Sequence, residues 1–292
     1  MATLLFAVAA QAGGAALAQP GPLRLSPGGL AGVAGGVLLA LYLRLADDLK
    51  DWRTDRALAA AGDARFAGRP QTTGEVEEGD LRRLTLIVAA AFGLLLAPQP
   101  PAATVLGGLS FVGAWLAARW FFYPAMAASL PLAFVTHNPL ALLFLSFGVA
   151  VGAGEAAASL PAVAAALLVG LYLPIAAWEI ARKVRTPEEE TAYVTWSRIM
   201  GWRMASAVPP ALAIGSAALL AFAGAVAGLG RGYGLLLAVA ALAPVAASVA
   251  FRLRPSPAGA RRLRPAIEGY SAVAGLGFVL FAVVARGVVF RG

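Results

Sequence analysis

The chain has 292 residues, 60% hydrophobic and 13% charged, with 23 Lys and Arg against 15 Asp and Glu for a formal net charge of +8. An ordinary soluble domain carries roughly 25% charged residues, so this composition excludes a soluble globular protein and points to an integral membrane protein. Cysteine is absent, which excludes thiol catalysis, disulfides and Cys-ligated metals. The basic residues are spread over many short segments, a poor match to nucleic-acid binding.

Apolar runs of about 20 residues, enough to cross a hydrocarbon core, recur along the whole chain. The ten-residue alternation of a transmembrane β-barrel is absent, so the spans are helices. In chain order they are expected near residues 3–23, 28–47, 82–98, 102–121, 126–152, 158–182, 202–228, 232–252 and 267–288. The first resembles a signal peptide, with small residues before Gln19-Pro20, but no Lys or Arg precedes Arg24, and we read it as a membrane helix. Pro131 and the run Thr136-His137-Asn138-Pro139 interrupt the fifth. Residues 1–292 thus read as a single all-α domain, a polytopic bundle of about nine transmembrane helices.

Charge tests this layout. Every Lys and Arg except Arg24, Arg231, Arg286 and Arg291 falls on one side, as does every Asp and Glu except Glu155. By the positive-inside rule that side is cytoplasmic, which puts the N-terminus inside and the C-terminus outside. Topology alone does not require acids to gather there too, so the cytoplasmic loops are expected to form a polar site. Alanine-rich, Arg-over-Lys usage suggests a bacterial genome, and hence a bacterial inner membrane.

Two loops carry the chemistry. After the second helix the chain reads Asp47-Asp48-Leu49-Lys50-Asp51-Trp52-Arg53-Thr54-Asp55, followed by Arg56, Arg65 and Arg69-Pro70. On a helix Asp47, Asp51 and Asp55 share one face at i, i+4 and i+8. Like charges at that spacing repel, and a hard cation such as Mg²⁺, held by one or two carboxylates plus substrate phosphates, relieves them. After the sixth helix the chain reads Trp178-Glu179-Ile180-Ala181-Arg182-Lys183-Val184-Arg185, then Glu188, Glu189 and Glu190. Both loops set acids beside bases at a helix end and suit a diphosphate: carboxylates hold Mg²⁺, and Arg or Lys neutralise the remaining charge. A prenyl diphosphate joins such a head to a hydrocarbon tail that the membrane accommodates, at about 0.8 kcal/mol per buried CH₂.

The run Asp47-Asp48-x-x-Asp51-x-x-x-Asp55-Arg56, with Arg69-Pro70-x-x-x-Gly74 downstream, resembles the first signature of the UbiA superfamily of intramembrane prenyltransferases. The nine-helix layout, with signatures after the second and sixth helices, extends the likeness over nearly the whole chain. The second signature departs from the family's aspartate pattern, because Glu179 stands in the leading acidic position and Lys183 four residues on.

The resemblance implies a UbiA-like helical bundle and a Mg²⁺-dependent enzyme that ionises an isoprenyl diphosphate. The prenyl group would pass to a small-molecule or lipid acceptor, with an aromatic acceptor on the way to a quinone as the first expectation. It implies metal ligation by Asp48, Asp51 and Asp55, with Asp47 at the position that is often Asn, and by Glu179, Glu188 and Glu189. Arg69, Arg182, Lys183, Arg185 and Arg65 become candidates to bind the diphosphate. Tyr193, Trp196 and Ser197 either line an acceptor pocket or cap the next helix, and His137 is expected to be structural, in a break at mid-membrane or on the extracellular side. The rival readings are a UbiA-type terpene cyclase, which needs no acceptor, and a transporter or lipid-binding protein, which calls for charge at the bilayer midplane.

Overall fold

The computed structural model describes residues 2–119, 124–190 and 194–290. The elements are helices α1 (Ala2–Ala18), α2 (Pro27–Ala60), α3 (Ala64–Ala67), α4 (Pro70–Thr73), α5 (Glu78–Leu96), α6 (Pro101–Ala117), α7 (Ala125–Ala128), α8 (Leu130–His137), α9 (Leu140–Ala153), α10 (Val163–Ala181), α11 (Trp196–Met200), α12 (Trp202–Val226), α13 (Arg231–Leu253) and α14 (Pro257–Arg286). Two short strands, β1 (Leu23–Leu25) and β2 (Val288–Phe290), join them. Six of the helical segments are long and apolar enough to cross a membrane, and α1 and α6 are shorter apolar helices. The protein is an all-α integral membrane protein.

The expected second helix stops at residue 47, whereas α2 continues to Ala60. Hydropathy ends the apolar run, but no backbone signal ends the helix before Gly62, whose φ of 85° breaks it. At 1.5 Å per residue the 34 residues of α2 span roughly 51 Å, against about 30 Å of hydrocarbon. About four turns therefore project beyond the apolar layer and carry the aspartates. The start of α14 lies ten residues before its expected position, because Ser256 caps it and Pro257 occupies the first turn.

The interrupted fifth span is three pieces. Ser129 caps α8, and Asn138-Pro139 separates α8 from α9. The first helix ends five residues early, and after Gly21 the chain extends as β1. That strand pairs in parallel with β2, Leu23 opposite Val288 and Leu25 opposite Phe290. Arg286 fastens the same corner by donating to the carbonyls of Ala16 and Gln19. Parallel pairing of the strands that follow α1 and α14 means that both helices end on the same side of the bundle.

Two apolar cores hold the helices. One joins α1, α10, α12, α13 and α14 around Leu167, Leu220, Tyr233, Tyr270 and Phe278. The other joins α2, α5, α6 and α9 around Leu39, Phe92 and Phe147. Helix α9 serves both, and it approaches α1 so closely that a Cβ at Gly152 would overlap the Gln11 carbonyl oxygen, and one at Gly14 that of Val149. Small residues that let backbones meet are the usual device inside a bilayer, where the solvent is as apolar as the helices. Interhelical hydrogen bonds add to this: Tyr270 donates to Ser216 at 2.9 Å, and Ser216 to the Gly170 carbonyl at 2.7 Å.

Candidate active site

The projecting end of α2 places its acids as the helical spacing requires and gives Asp47, Asp48 and Asp55 each a partner. Asp47 accepts from Lys50 at 2.9 Å, and Asp48 pairs with Arg44 at 2.8 Å. Asp55 is almost wholly buried, 3% exposed. It is held by Arg69 and by Gln71, whose amide donates to the same oxygen at 3.0 Å.

The segment Arg69-Pro70-x-x-x-Gly74 folds as a one-turn helix. Arg69 is its extended N-cap, Pro70 its first residue, and Gly74, at φ 85°, its left-handed terminator. A non-glycine residue at 74 would be strained. This turn lowers Arg69 and Gln71 onto Asp55, while the Arg69 guanidinium also lies 4.4 Å from the centre of the Phe66 ring. A cavity of about 320 Å³ opens beside the turn, lined by Arg44, Asp48, Arg69 and Gln71 on its polar side and by Val76 and Leu81 on its apolar side. Arg65 lies in α3, and its side chain falls outside the described residues.

The second signature closes on itself. Glu179 receives two hydrogen bonds from Arg182, at 2.6 and 2.8 Å, and an ion pair from Lys183 at 3.0 Å. Lys183 is buried, and its carbonyl accepts from the backbone of Trp196. Arg182 and Arg185 face a second cavity, between α10 and α14. Of the three glutamates, Glu188 is exposed, Glu189 caps the turn at Thr186, and Glu190 accepts from Thr195 at 2.7 Å. Ser197 accepts from the Arg185 backbone at 2.7 Å. Tyr193 lies outside the described residues.

Helix α8 stands between the two signatures. Phe134 packs edge-on against Trp196, ring centroids 5.3 Å apart, and one turn later His137 lies within electrostatic reach of Lys50 and Asp47. This corrects the expectation for His137, which belongs to the charged end of the bundle. The turn at Asn138-Pro139 keeps helical backbone dihedrals, so α8 continues into α9 as one apolar segment, Leu130–Ser159, with an interruption at this point. Two buried polar atoms flank this helix without a hydrogen-bond partner among the described residues, Asn138 Oδ1 and Trp196 Nε1.

Sequence reasoning missed Gln71, Arg44 and Lys50 as parts of the site. The two cations were legible, since Arg44 and Asp48 are an i, i+4 pair and Asp47 and Lys50 an i, i+3 pair. Gln71 carried no signal, because only the fold brings it to a residue sixteen positions away. Among the described residues no three His, Asp or Glu side chains converge as a ready-made metal cage.

No family model and no curated protein sequence matches this chain. Solved structures do. A UbiA homolog from Aeropyrum pernix K1 superposes with a TM-score of 0.69 at 16% identity, covering 96% of this chain and 97% of that one. A digeranylgeranylglyceryl phosphate synthase gives 0.68 at 14%, over 97% and 94%. A UbiA homolog from Archaeoglobus fulgidus, bound to GPP and Mg²⁺, gives 0.56 at 14%, over 98% and 96%. Over almost its entire length, the chain has the fold of the UbiA homologues.

Proposed function

We propose that this chain is a member of the UbiA superfamily, a Mg²⁺-dependent intramembrane prenyltransferase that ionises a prenyl diphosphate and transfers the prenyl group to an acceptor. One observation carries the reading: of the row of carboxylates on the projecting end of a membrane helix, Asp48 lines an arginine-edged cavity, on a fold whose solved examples include one bound to GPP and Mg²⁺.

The donor set fits the ion. Carboxylate oxygens are the ligands Mg²⁺ prefers, and it takes one or two of them plus substrate phosphates instead of a full protein cage. Asp48 and Asp51 are the ligands in this reading, with Asp47 beside them. When bound, the ion supplies charge to the departing diphosphate. Asp55 holds Arg69 at the cavity rim, where Arg69 and Arg44 offer guanidinium donors to phosphate oxygens. Lys183, buried against Glu179, adds a cation from the second signature. The prenyl tail lies in the apolar bundle, which keeps water from the allylic cation. The expected setting is a bacterial inner membrane with the charged end facing the cytoplasm.

Purified protein in detergent, given geranyl, farnesyl and longer prenyl diphosphates with aromatic and lipid acceptors, tests the reaction type by mass analysis of products. A prenylated acceptor supports the transferase. A cyclic product formed without any acceptor indicates an intramembrane cyclase, and bound but unconverted diphosphate indicates a binding protein.

A further inference from the structure

The second cavity, of about 500 Å³, lies where the charged end of α10 meets the start of α14 and shares no lining residue with the first. Its polar lining is Arg182, Arg185, Arg261 and Arg264 with Glu189 and Glu268, set against an apolar edge that includes Ala260 and Pro265. The Trp178 indole anchors it. Its N–H donates to Glu268 at 2.8 Å, Arg264 donates to the same oxygen, and the guanidinium carbons of Arg182 and Arg264 lie 5.2 and 5.3 Å from the Trp178 ring.

These contacts fix two of the four guanidiniums and leave two available. Arg185 donates to the carbonyls of Arg182 and Val184 and meets no carboxylate within ion-pair distance among the described residues. Arg261 meets Glu189 at only 3.4 Å, with its side chain 69% exposed. With Glu179 on Arg182, Glu268 on Arg264 and Glu189 on Arg261, three carboxylates meet the four guanidiniums, and Arg185, with no carboxylate partner among the described residues, leaves this cavity net cationic, a complement to a phosphate group.

Its depth selects the phosphate's carrier. The apolar part of α14 begins near Ile267, so Arg261 and Arg264 sit one to two turns outside it, at the level of lipid headgroups. Trp178 is the kind of side chain that settles at that boundary, and basic pockets between membrane helices on such a face take phospholipid headgroups. We propose that this groove binds the phosphate headgroup of an anionic phospholipid, with Arg185 and Arg261 as its principal donors. Arg182 and Arg185, expected from the sequence to meet the diphosphate, line this groove and not the cavity beside Asp48.

The test is native mass spectrometry of the full chain in detergent, titrated with phosphatidylglycerol or phosphatidylcholine of matched acyl chains. Wild-type protein is expected to retain one phosphatidylglycerol in preference to phosphatidylcholine. The double variant Arg185→Ala/Arg261→Ala should weaken that binding about thirtyfold, the effect of two basic side chains at a membrane surface. The charge-matched Arg82→Ala/Arg83→Ala, on exposed positions of α5 that do not line the groove, should change it by less than about threefold. Equal loss in both double variants, or equal retention of the two lipids by wild type, overturns the site. Displacement of the lipid by millimolar inorganic phosphate would assign the groove to a free phosphate and overturn the lipid. The headgroup comparison on wild type decides the matter even where a variant fails to fold.

Discussion

Removing Arg69 strands a buried carboxylate, and the consequence can be sized from the geometry. The Asp55 side chain is 5% exposed and that of Arg69 40%. The pair therefore lies between a fully buried ion pair, where deleting one partner costs 3–5 kcal/mol, and an exposed one, worth about 0–1 kcal/mol. Gln71 continues to donate to Asp55 after Arg69 is gone, which limits the loss. We expect Arg69→Ala to destabilise by about 2 kcal/mol, in the range of hydrogen bonds to charged groups. Asp55→Ala should cost about the same, and the double variant little more than either alone. Thermal or denaturant unfolding of the four proteins in one detergent gives the coupling energy directly. Additive losses, with a coupling below about 0.5 kcal/mol, would refute the claim that Asp55 serves to seat Arg69.

Three further perturbations follow from the packing and the site. Gly152→Val should force α9 away from α1 and lower the melting temperature or abolish a monodisperse peak, at about 1–3 kcal/mol or more for overpacking. Gly108→Ala, with no atom near its Cβ position, should leave the protein unchanged within about 1 kcal/mol; similar losses in both would contradict the close crossing. Ser216→Ala removes the bridge from Tyr270 to the Gly170 carbonyl and is expected to cost about 1 kcal/mol in unfolding experiments, the size of interhelical hydrogen bonds in membranes. Lys183→Met should reduce turnover and raise the Mg²⁺ concentration needed for it, whereas unchanged kinetics would confine Lys183 to its ion pair with Glu179.

The fold was legible where apolar runs are long and punctuated, as at α6, α12 and α13, whose limits fall within a few residues of expectation. It was less legible where hydropathy and helix geometry part company. The aspartates of α2 lie outside the apolar run yet inside the helix, because paired charges at i, i+3 and i, i+4 tolerate helix and only Gly62 stops it. The clasp of Leu23–Leu25 with Val288–Phe290 involves too few residues, too far apart, to leave a pattern. In the site, the helical spacing of Asp47, Asp51 and Asp55 predicted their common face. It did not show that Asp55 turns inward to Arg69 and Gln71, a partnership that depends on burial, whereas the i, i+3 and i, i+4 spacing of Glu179 with Arg182 and Lys183 already offered a salt bridge to either, and the structure has both. His137 carried the wrong depth. The break at Asn138-Pro139 reads from the sequence as lying at mid-membrane or on the extracellular side, whereas α8 brings His137 within electrostatic reach of Lys50 and Asp47.

The most direct test of the central claim is the rate of diphosphate release from a prenyl diphosphate by purified wild-type and Asp51→Ala protein, each with Mg²⁺ and with EDTA. Release by wild type is expected only with Mg²⁺, with a fall of at least about a hundredfold in Asp51→Ala, the scale of removing one group that stabilises developing charge. Release that persists in EDTA, or that Asp51→Ala leaves intact, would contradict that claim and place the chemistry away from the projecting end of α2.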